Sequence, residues 1–245
     1  MARKSLLLAL CLSAGILTGC ENMNVGQALQ AGLSIFKAVT LSDSEMTALG
    51  LRSAQQLDSE NKIANTKSSY SKRLQRITSN LRSYEGHTLN FKVYQKNEVN
   101  AFALPNGDIR VYTGLMDMMT DDELLFVIGH EIGHVVKQHS KSKARTDLLT
   151  TALRQAGAAS TNALIANLST TQVGEIAHAL IGAQYSQSAE YEADAFGLKV
   201  LKEQGRPKAA AVSALRKLAS LGSAGSIFAS HPEPGKRADR IAKMD

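Results

Sequence analysis

The chain reads TDDELLFVIGHEIGHVV over residues 120–136. Apolar residues follow one another so closely in this run that a helix formed by it would be apolar almost all round, and such a helix is buried. Thr120 and Glu123 have the spacing of a capping box, and acids fill the first turn, where the helix dipole favours negative charge. The sequence therefore predicts a buried helix that begins at Thr120 and continues to about Lys143.

Two histidines of this helix, His130 and His134, stand at positions i and i+4. This spacing places them about 40° apart around the axis and about 6 Å apart along it, so both imidazoles reach one point. The arrangement suits two of the four positions around zinc, and Glu131 lies beside them, where a carboxylate can accept a proton from water. The pattern indicates a catalytic metal site.

Two glycines interrupt the same helix at Gly129 and Gly133. Each weakens the helix by about 1 kcal/mol relative to alanine. We therefore expect another segment of backbone to pack closely there, although small residues that are merely tolerated remain an alternative.

A third metal ligand has to come from outside the helix. The extended motif with a further histidine six residues after His134 is absent, because Ser140 stands at that position. His139 would lie about 180° from His130 on a continuous helix, so we expect it to face away from the metal, at the surface.

The segment SAEYEAD at residues 188–194 supplies candidate carboxylates. On a helix Glu190 and Asp194 share one face, whereas Glu192 points away from Glu190. One carboxylate can bind the metal while the other accepts an imidazole N–H and so selects its tautomer. An acidic, solvent-facing helix surface is the alternative.

The remaining pattern predicts an α+β fold that is mostly helical. Residues 43–85 show helix-like apolar spacing in two segments, and residues 88–115 alternate as in strands around a turn signal. These strands are expected to form a small antiparallel sheet that precedes the metal-binding helix. Further helices are expected over 146–167, 171–184, 188–204, 207–222 and 235–244, within one compact domain over residues 43–245.

The N-terminus has the pattern of a lipoprotein signal peptide. Two basic residues precede an apolar stretch over residues 6–17, which is too short to span a bilayer. The following Leu17-Thr18-Gly19-Cys20 resembles a bacterial lipobox, which implies a signal peptide over 1–19 and a tether over 20–42 that is lipidated on Cys20. An ordinary signal peptide with an incidental cysteine is the alternative.

Two neighbouring features refine this prediction. The other cysteine, Cys11, lies inside the apolar stretch, so the mature chain would have no partner for a disulfide. Glu21, rather than an aspartate, follows the lipidation site, and by the usual sorting rule this favours the outer over the inner membrane. We expect a lipid-anchored protein of the bacterial envelope that faces the periplasm.

Composition excludes several classes of protein. The 245 residues are 44% hydrophobic and 20% charged, which suits a globular core. The net charge of +6 comes from basic residues that are scattered among acids, tryptophan is absent, and there are six Phe and six Tyr. The sequence therefore predicts no nucleic-acid partner.

The motif at 130–134, followed by Glu190-x-x-x-Asp194, resembles that of the HtpX/Oma-type zinc metallopeptidases, a gluzincin family. The segments 100–103 and 109–114 resemble the strand pair that precedes the zinc helix there. The likeness covers about residues 65–240 and implies a zincin-type metallopeptidase domain with one Zn²⁺ per chain. With the lipobox, the chain is similar to the LoiP-like periplasmic lipoprotein proteases, and the lipid would replace the transmembrane helices of other members.

The resemblance also implies roles for individual residues. His130, His134 and Glu190 would bind zinc, Glu131 would be the general base, and Asp194 would orient a ligand.

Two further positions carry weaker signals. Ser230-His231-Pro232 resembles an element near the end of family members, so His231 either steadies the oxyanion, contacts substrate, or is a loop residue. The extended stretch at Asn100, Ala101 and Phe102 is expected to offer a sheet edge to substrate. His87 and His178 lack motifs and are expected to be structural or surface residues.

Together these features predict a membrane-anchored zinc endopeptidase that hydrolyses unfolded or misfolded envelope proteins. A non-catalytic, zinc-stabilised lipoprotein that acts as a binding or assembly factor is the alternative from another class, and Glu131 argues against it because structural zinc sites rarely need a base. A zinc hydrolase of small molecules also remains open.

Overall fold

The computed structural model describes residues 42–154, 169–182, 184–222 and 227–244. The predicted signal peptide, most of the tether and Cys20 lie outside these residues, as does part of the helix expected over 146–167. Within the described part of the chain, no helix combines the length and the apolar character that a membrane crossing requires.

The described residues form an α+β fold in which helices predominate, as predicted. The helices are α1 (Asp43–Glu60), α2 (Ser69–Ile77), α3 (Thr113–Met118), α4 (Asp121–Val136), α5 (His139–Arg154), α6 (Thr170–Gly182), α7 (Gln187–Glu203), α8 (Ala209–Ser220), α9 (Ile227–Ser230) and α10 (Pro234–Ala242). The strands are β1 (Ser83–Tyr84), β2 (His87–Thr88), β3 (Asn90–Tyr94), β4 (Ala101–Ala103) and β5 (Asp108–Tyr112).

The start of α4 confirms the predicted capping box. The Thr120 hydroxyl accepts from the Glu123 N–H, and the Glu123 carboxylate accepts from the Thr120 N–H at 2.7 Å. Burial alone would raise the pKa of Glu123, but Lys217 and Ser213 donate to its carboxylate and, with Thr120, lower that pKa to about 2. The first turn of α4 is therefore held by contacts with α8 as well as by its own capping box.

The end of α4 differs from the prediction. The helix stops at Val136 rather than near Lys143, because Gln138 adopts a left-handed conformation with φ +59° and a second helix, α5, begins at His139. No glycine or proline lies at this break, so nothing in the sequence indicated that the helix ends there. The apolar pattern therefore predicted one continuous helix. The break changes the direction of the chain and therefore the position of His139.

The sheet is mixed rather than wholly antiparallel. Strands β4 and β5 form the expected antiparallel hairpin, with Phe102 opposite Arg110. Strand β3 instead pairs with β5 in parallel, which gives the order β3-β5-β4 and makes β4 an edge strand. Alternation reveals which face of a strand is buried but not the direction of its neighbour, so the sequence pattern could not predict this pairing.

Helices α4 and α7 pack in close contact at the two glycines. A Cβ atom on Gly129 would lie 3.0 Å from the Cα of Gly197, and one on Gly133 would lie 3.0 Å from the Cα of Ala193. Such distances leave no room for a side chain, which confirms the predicted close approach of backbone. The consequence is functional, because α7 carries Glu190 and Asp194 and is held directly against the helix that carries the two histidines.

Candidate metal centre

Four buried side chains converge between α4, α7 and the segment after α9. Each of His130, His134, Glu190 and His231 offers a ligand atom, and these atoms all lie within 4.8 Å of one another. His134 Nε2 lies 3.0 Å from His130 Nε2 and 3.3 Å from Glu190 Oε1, while His231 Nδ1 lies 3.1 Å from the same carboxylate oxygen. Imidazole nitrogens with a carboxylate oxygen are a donor set that suits a metal ion.

The fold explains why these residues meet. His130 and His134 are one turn apart on α4, and Glu190 lies in the first turn of α7, which the glycine contacts hold against α4. Glu190 and Asp194 are both almost fully buried, so the alternative of a solvent-facing acidic surface does not hold. His231 reaches the same cluster from a segment 41 residues beyond Glu190.

Glu131 is buried beside the cluster, 3.4 Å from His231. Among the described residues, neither oxygen of its carboxylate has a hydrogen-bond partner. The Nε2 atom of His231 also lacks one there, although it lies 3.4 Å from Glu131 Oε1. A buried carboxylate without partners is costly, and such groups persist where function requires them. These orphaned atoms face a cluster of metal-type donors, so the residues present fit a metal ion.

Arg237 is a part of the site that sequence reasoning missed. Its Nε and Nη2 atoms donate to the two oxygens of Asp194 at 2.9 and 2.6 Å, and its Nη1 forms a close ion pair with Glu190 Oε2. Asp194 Oδ1 in turn lies 3.0 Å from His130 Nδ1.

A sequence signal for Arg237 did exist. The sequence predicted only a basic terminal helix, yet Arg237, Ala238 and Ile241 have the spacing of one helix face, and all three are buried. An arginine on an otherwise apolar face was the clue that it meets buried acids.

Burial and neighbouring charges set the ionisation of the cluster. Burial alone would raise the pKa of Glu190, but His231 and His130 outweigh it and hold that pKa well below its usual range. The pKa of Asp194 is lowered in the same way, with Arg237 opposing the effect of burial. Burial lowers the pKa of His134 well below its usual value. Neutral imidazole and ionised carboxylate are the forms that bind metal.

The prediction for His139 was wrong. It does not face away from the metal cluster: its Nδ1 lies 3.1 Å from the Nδ1 of His134, and its side chain is 14% exposed. The break at Gln138 is the reason, since the angle of 180° assumed a continuous helix. Tyr185, which no pattern singled out, stacks on His134 with ring centroids 3.7 Å apart and planes 15° apart.

The remaining candidate residues are not among the four donors of the cluster. Asn100, Ala101 and Phe102 are buried at the start of β4, the edge strand that packs beside α4. His178 is exposed and bonds to Glu60 at 2.8 Å, and His87 is partly exposed on β2, so both lie outside the metal cluster.

Comparison with known proteins agrees with this geometry. Residues 65–245 match the model of peptidase family M48. The chain is 41% identical to the metalloprotease YcaL of Escherichia coli over 98% of this chain and 97% of YcaL. It is also 41% identical to the metalloprotease LoiP of Escherichia coli, over 98% of this chain and 96% of LoiP.

A more distant relative is the mitochondrial metalloendopeptidase OMA1 of Arabidopsis thaliana, 30% identical over 66% of this chain and 32% of OMA1. The region shared with OMA1 is thus a part of that longer protein. The family match covers the two helices that carry the metal cluster and the segment that carries His231. The chain therefore belongs to peptidase family M48, the gluzincin family of the sequence resemblance.

Proposed function

We propose that this metalloprotease is a zinc-dependent endopeptidase, held at the bacterial envelope by a lipid on Cys20, that hydrolyses unfolded or misfolded envelope proteins. The observation that carries the proposal is the buried cluster of metal-type donors with the orphaned carboxylate of Glu131 beside it. A purely structural zinc site would not need a further carboxylate beside its ligands, because it has no water to deprotonate.

In this proposal His130, His134 and Glu190 hold one Zn²⁺ per chain. When bound, zinc supplies a Lewis acid that polarises a carbonyl group and acidifies water. Asp194 accepts the Nδ1 proton of His130, with which it is in contact at 3.0 Å, and so keeps the Nε2 lone pair directed into the cluster. Arg237 fixes Asp194 in turn through two hydrogen bonds.

Glu131 acts as the general base in this site. Its carboxylate accepts a proton from the attacking water and then passes it to the leaving amine. In this proposal His231, whose Nε2 lies 3.4 Å from Glu131 Oε1, contacts the substrate beside the reacting carbonyl.

The edge strand β4 supports binding of an extended peptide. Leu104 donates to Asp108, and Asn100 accepts from Tyr112, so in this register alternate residues of β4 bond to β5. The main-chain N–H and C=O groups of Ala101 and Ala103 therefore point away from β5, although both residues are almost fully buried, so a substrate strand would have to displace what covers them. A substrate strand that paired there would be held by its main chain, with little preference for sequence.

Metal removal tests the enzymatic part of the proposal. Treatment with a chelator is expected to abolish cleavage of an unfolded protein such as casein, and addition of one equivalent of zinc is expected to restore it, because the cluster loses the Lewis acid when the metal leaves. The measurement is the rate of peptide-bond cleavage by the chelated and the reloaded protein.

Small esters and amides, assayed in parallel, separate the alternatives. Hydrolysis of these compounds without cleavage of casein would indicate a small-molecule hydrolase. A reloaded, folded protein that cleaves neither substrate would indicate a non-catalytic zinc lipoprotein and would overturn the proposal.

Replacement of Cys20 by serine tests the membrane anchor. A lipoprotein held by several acyl chains stays at the membrane, whereas Cys20→Ser offers no sulfur for lipidation. We expect the variant to move from the membrane fraction to the soluble fraction, and sedimentation followed by immunodetection measures this.

Cys11→Ser is the matched control and should remain with the membrane. A Cys20→Ser protein that still sediments with membranes after a high-salt wash would contradict the lipid anchor, and separation of the two membranes by density tests the outer-membrane assignment.

A further inference from the structure

We propose that His139 is a positioning residue of the metal centre, which accepts the Nδ1 proton of His134 and is itself oriented by Glu192. The inference rests on the proposed metal site, because it concerns how one of its ligands is held. Two contacts between three side chains carry it: His134 Nδ1 lies 3.1 Å from His139 Nδ1, and His139 Nε2 lies 3.6 Å from Glu192 Oε2.

The direction of the hydrogen bonds follows from which nitrogen of His134 faces the cluster. Its Nε2 lies among the ligand atoms, 3.0 Å from His130 Nε2 and 3.3 Å from Glu190 Oε1. A neutral imidazole that binds metal through Nε2 carries its proton on Nδ1. That proton points at His139 Nδ1, which must then be the acceptor.

The same reasoning assigns the tautomer of His139. Because its Nδ1 accepts from His134, a neutral His139 carries its proton on Nε2, the nitrogen that faces the carboxylate of Glu192. The chain of contacts therefore runs from the metal ligand through a second imidazole to an acid at the surface. Glu192 is 56% exposed, so its effect on the chain is screened by water and salt.

The two metal-binding histidines are thereby held in different ways. His130 Nδ1 faces the buried and charged Asp194, whereas His134 Nδ1 faces a neutral imidazole. Each ligand has an acceptor that fixes its ring orientation, and loss of such an acceptor typically weakens metal binding about 10–100-fold.

Two local features of the fold create this contact. The left-handed Gln138 ends α4 and starts α5, which turns His139 back towards the helix it has just left. Glu192 lies on α7 two residues after Glu190, on the side of that helix that faces α5 rather than the metal. Helix α7 therefore supplies both Glu190, which belongs to the metal cluster, and Glu192, which contacts His139.

The test compares two substitutions of nearly equal size and shape. His139→Asn keeps an acceptor oxygen at the position of Nδ1, whereas His139→Leu does not. We expect the dissociation constant for zinc to rise about 10–100-fold in His139→Leu, and to return most of the way to the wild-type value in His139→Asn. Zinc affinity is measured by competition with a chromogenic chelator and does not depend on any assay of cleavage.

Controls separate a positioning role from a packing role. His178→Leu removes an exposed histidine that bonds to Glu60 on another part of the surface, and it should leave zinc affinity unchanged. Equal losses of affinity in the leucine and asparagine variants would show that only the shape of the imidazole matters and would overturn the proposal. Unchanged affinity in a folded His139→Leu protein would overturn it as well.

Glu192→Gln keeps the proposal testable if His139→Leu does not fold. This surface substitution should weaken zinc binding about twofold or more at low ionic strength, and the difference should disappear in about 1 M salt because the carboxylate is exposed. An effect that persists at high salt, or no effect at either salt concentration, would count against the chain of contacts. Wild-type protein that binds zinc but fails to cleave any peptide would refute the proposed function while leaving this inference intact.

Discussion

Replacement of Glu131 by glutamine is expected to abolish proteolysis while the protein keeps its metal. The substitution removes a proton acceptor but leaves His130, His134 and Glu190 in place. General base catalysis contributes about 10²–10⁴-fold to the rate of such reactions. We therefore expect kcat/KM for an unfolded protein substrate to fall by at least about 10²-fold. Cleavage kinetics with metal analysis of the same preparation measures both parts of the prediction.

The same variant should be more stable than the wild type in the metal-free state. Both oxygens of Glu131 are buried without a hydrogen-bond partner among the described residues, and burying a carboxylate that accepts no hydrogen bond is destabilising. Burying the neutral amide of glutamine costs less free energy than burying an ionised carboxylate. We therefore expect the free energy of unfolding of the variant to rise by about 1–3 kcal/mol. A gain in stability with a loss of activity would identify the carboxylate as a group retained for chemistry.

Glu175→Gln is the matched control, since it makes the same chemical change at an exposed position of α6. It should alter neither cleavage nor stability. Undiminished cleavage by Glu131→Gln would refute the assignment of the base, and loss of its bound metal would show that Glu131 acts on the ligands instead.

Replacement of Arg237 by methionine is expected to cause the largest loss of stability. The guanidinium group is almost fully buried and contacts both Asp194 and Glu190, so its removal leaves two buried carboxylates without their cation. Breaking one partner out of a buried ion pair costs about 3–5 kcal/mol, because the remaining charge is uncompensated. Denaturant unfolding of the metal-free protein measures this loss, and zinc affinity should also fall because Asp194 no longer holds His130 in place.

The neighbouring Arg240 supplies the control for this change. It lies on the same helix, α10, but is partly exposed over the ring of Tyr191, with its guanidinium carbon 4.4 Å from the ring centroid. Arg240→Met should therefore cost no more than about 1 kcal/mol. A similarly small cost for Arg237→Met would mean that the buried acids do not depend on the arginine for their charge.

Features that lie within one element followed from local patterns. The apolar run and the capping box predicted a buried helix from Thr120, and the spacing of His130 and His134 predicted their convergence, because a helix has one geometry whatever surrounds it. The glycines of the same helix predicted a close neighbour in the same way. Resemblance to a family then singled out Glu190 from among three nearby acids.

Features that depend on a break in that regular geometry were beyond the sequence pattern. A single residue, Gln138, turns out of the helical conformation without the glycine that usually marks such a turn. That turn moved His139 from the expected surface position to one in contact with His134. The parallel pairing of β3 with β5 was hidden for a similar reason, since alternation carries no direction.

Contacts between residues that lie far apart along the chain are determined by tertiary packing alone. Arg237 meets Asp194 across 43 residues and His231 meets His130 across 101, and no local period relates positions so far apart. Spacing along one helix is set by covalent geometry and hydrogen bonds that every helix shares. Contacts between helices instead depend on which side chains leave room for one another, as the two glycines do for α7, and this is settled only when the whole core is packed.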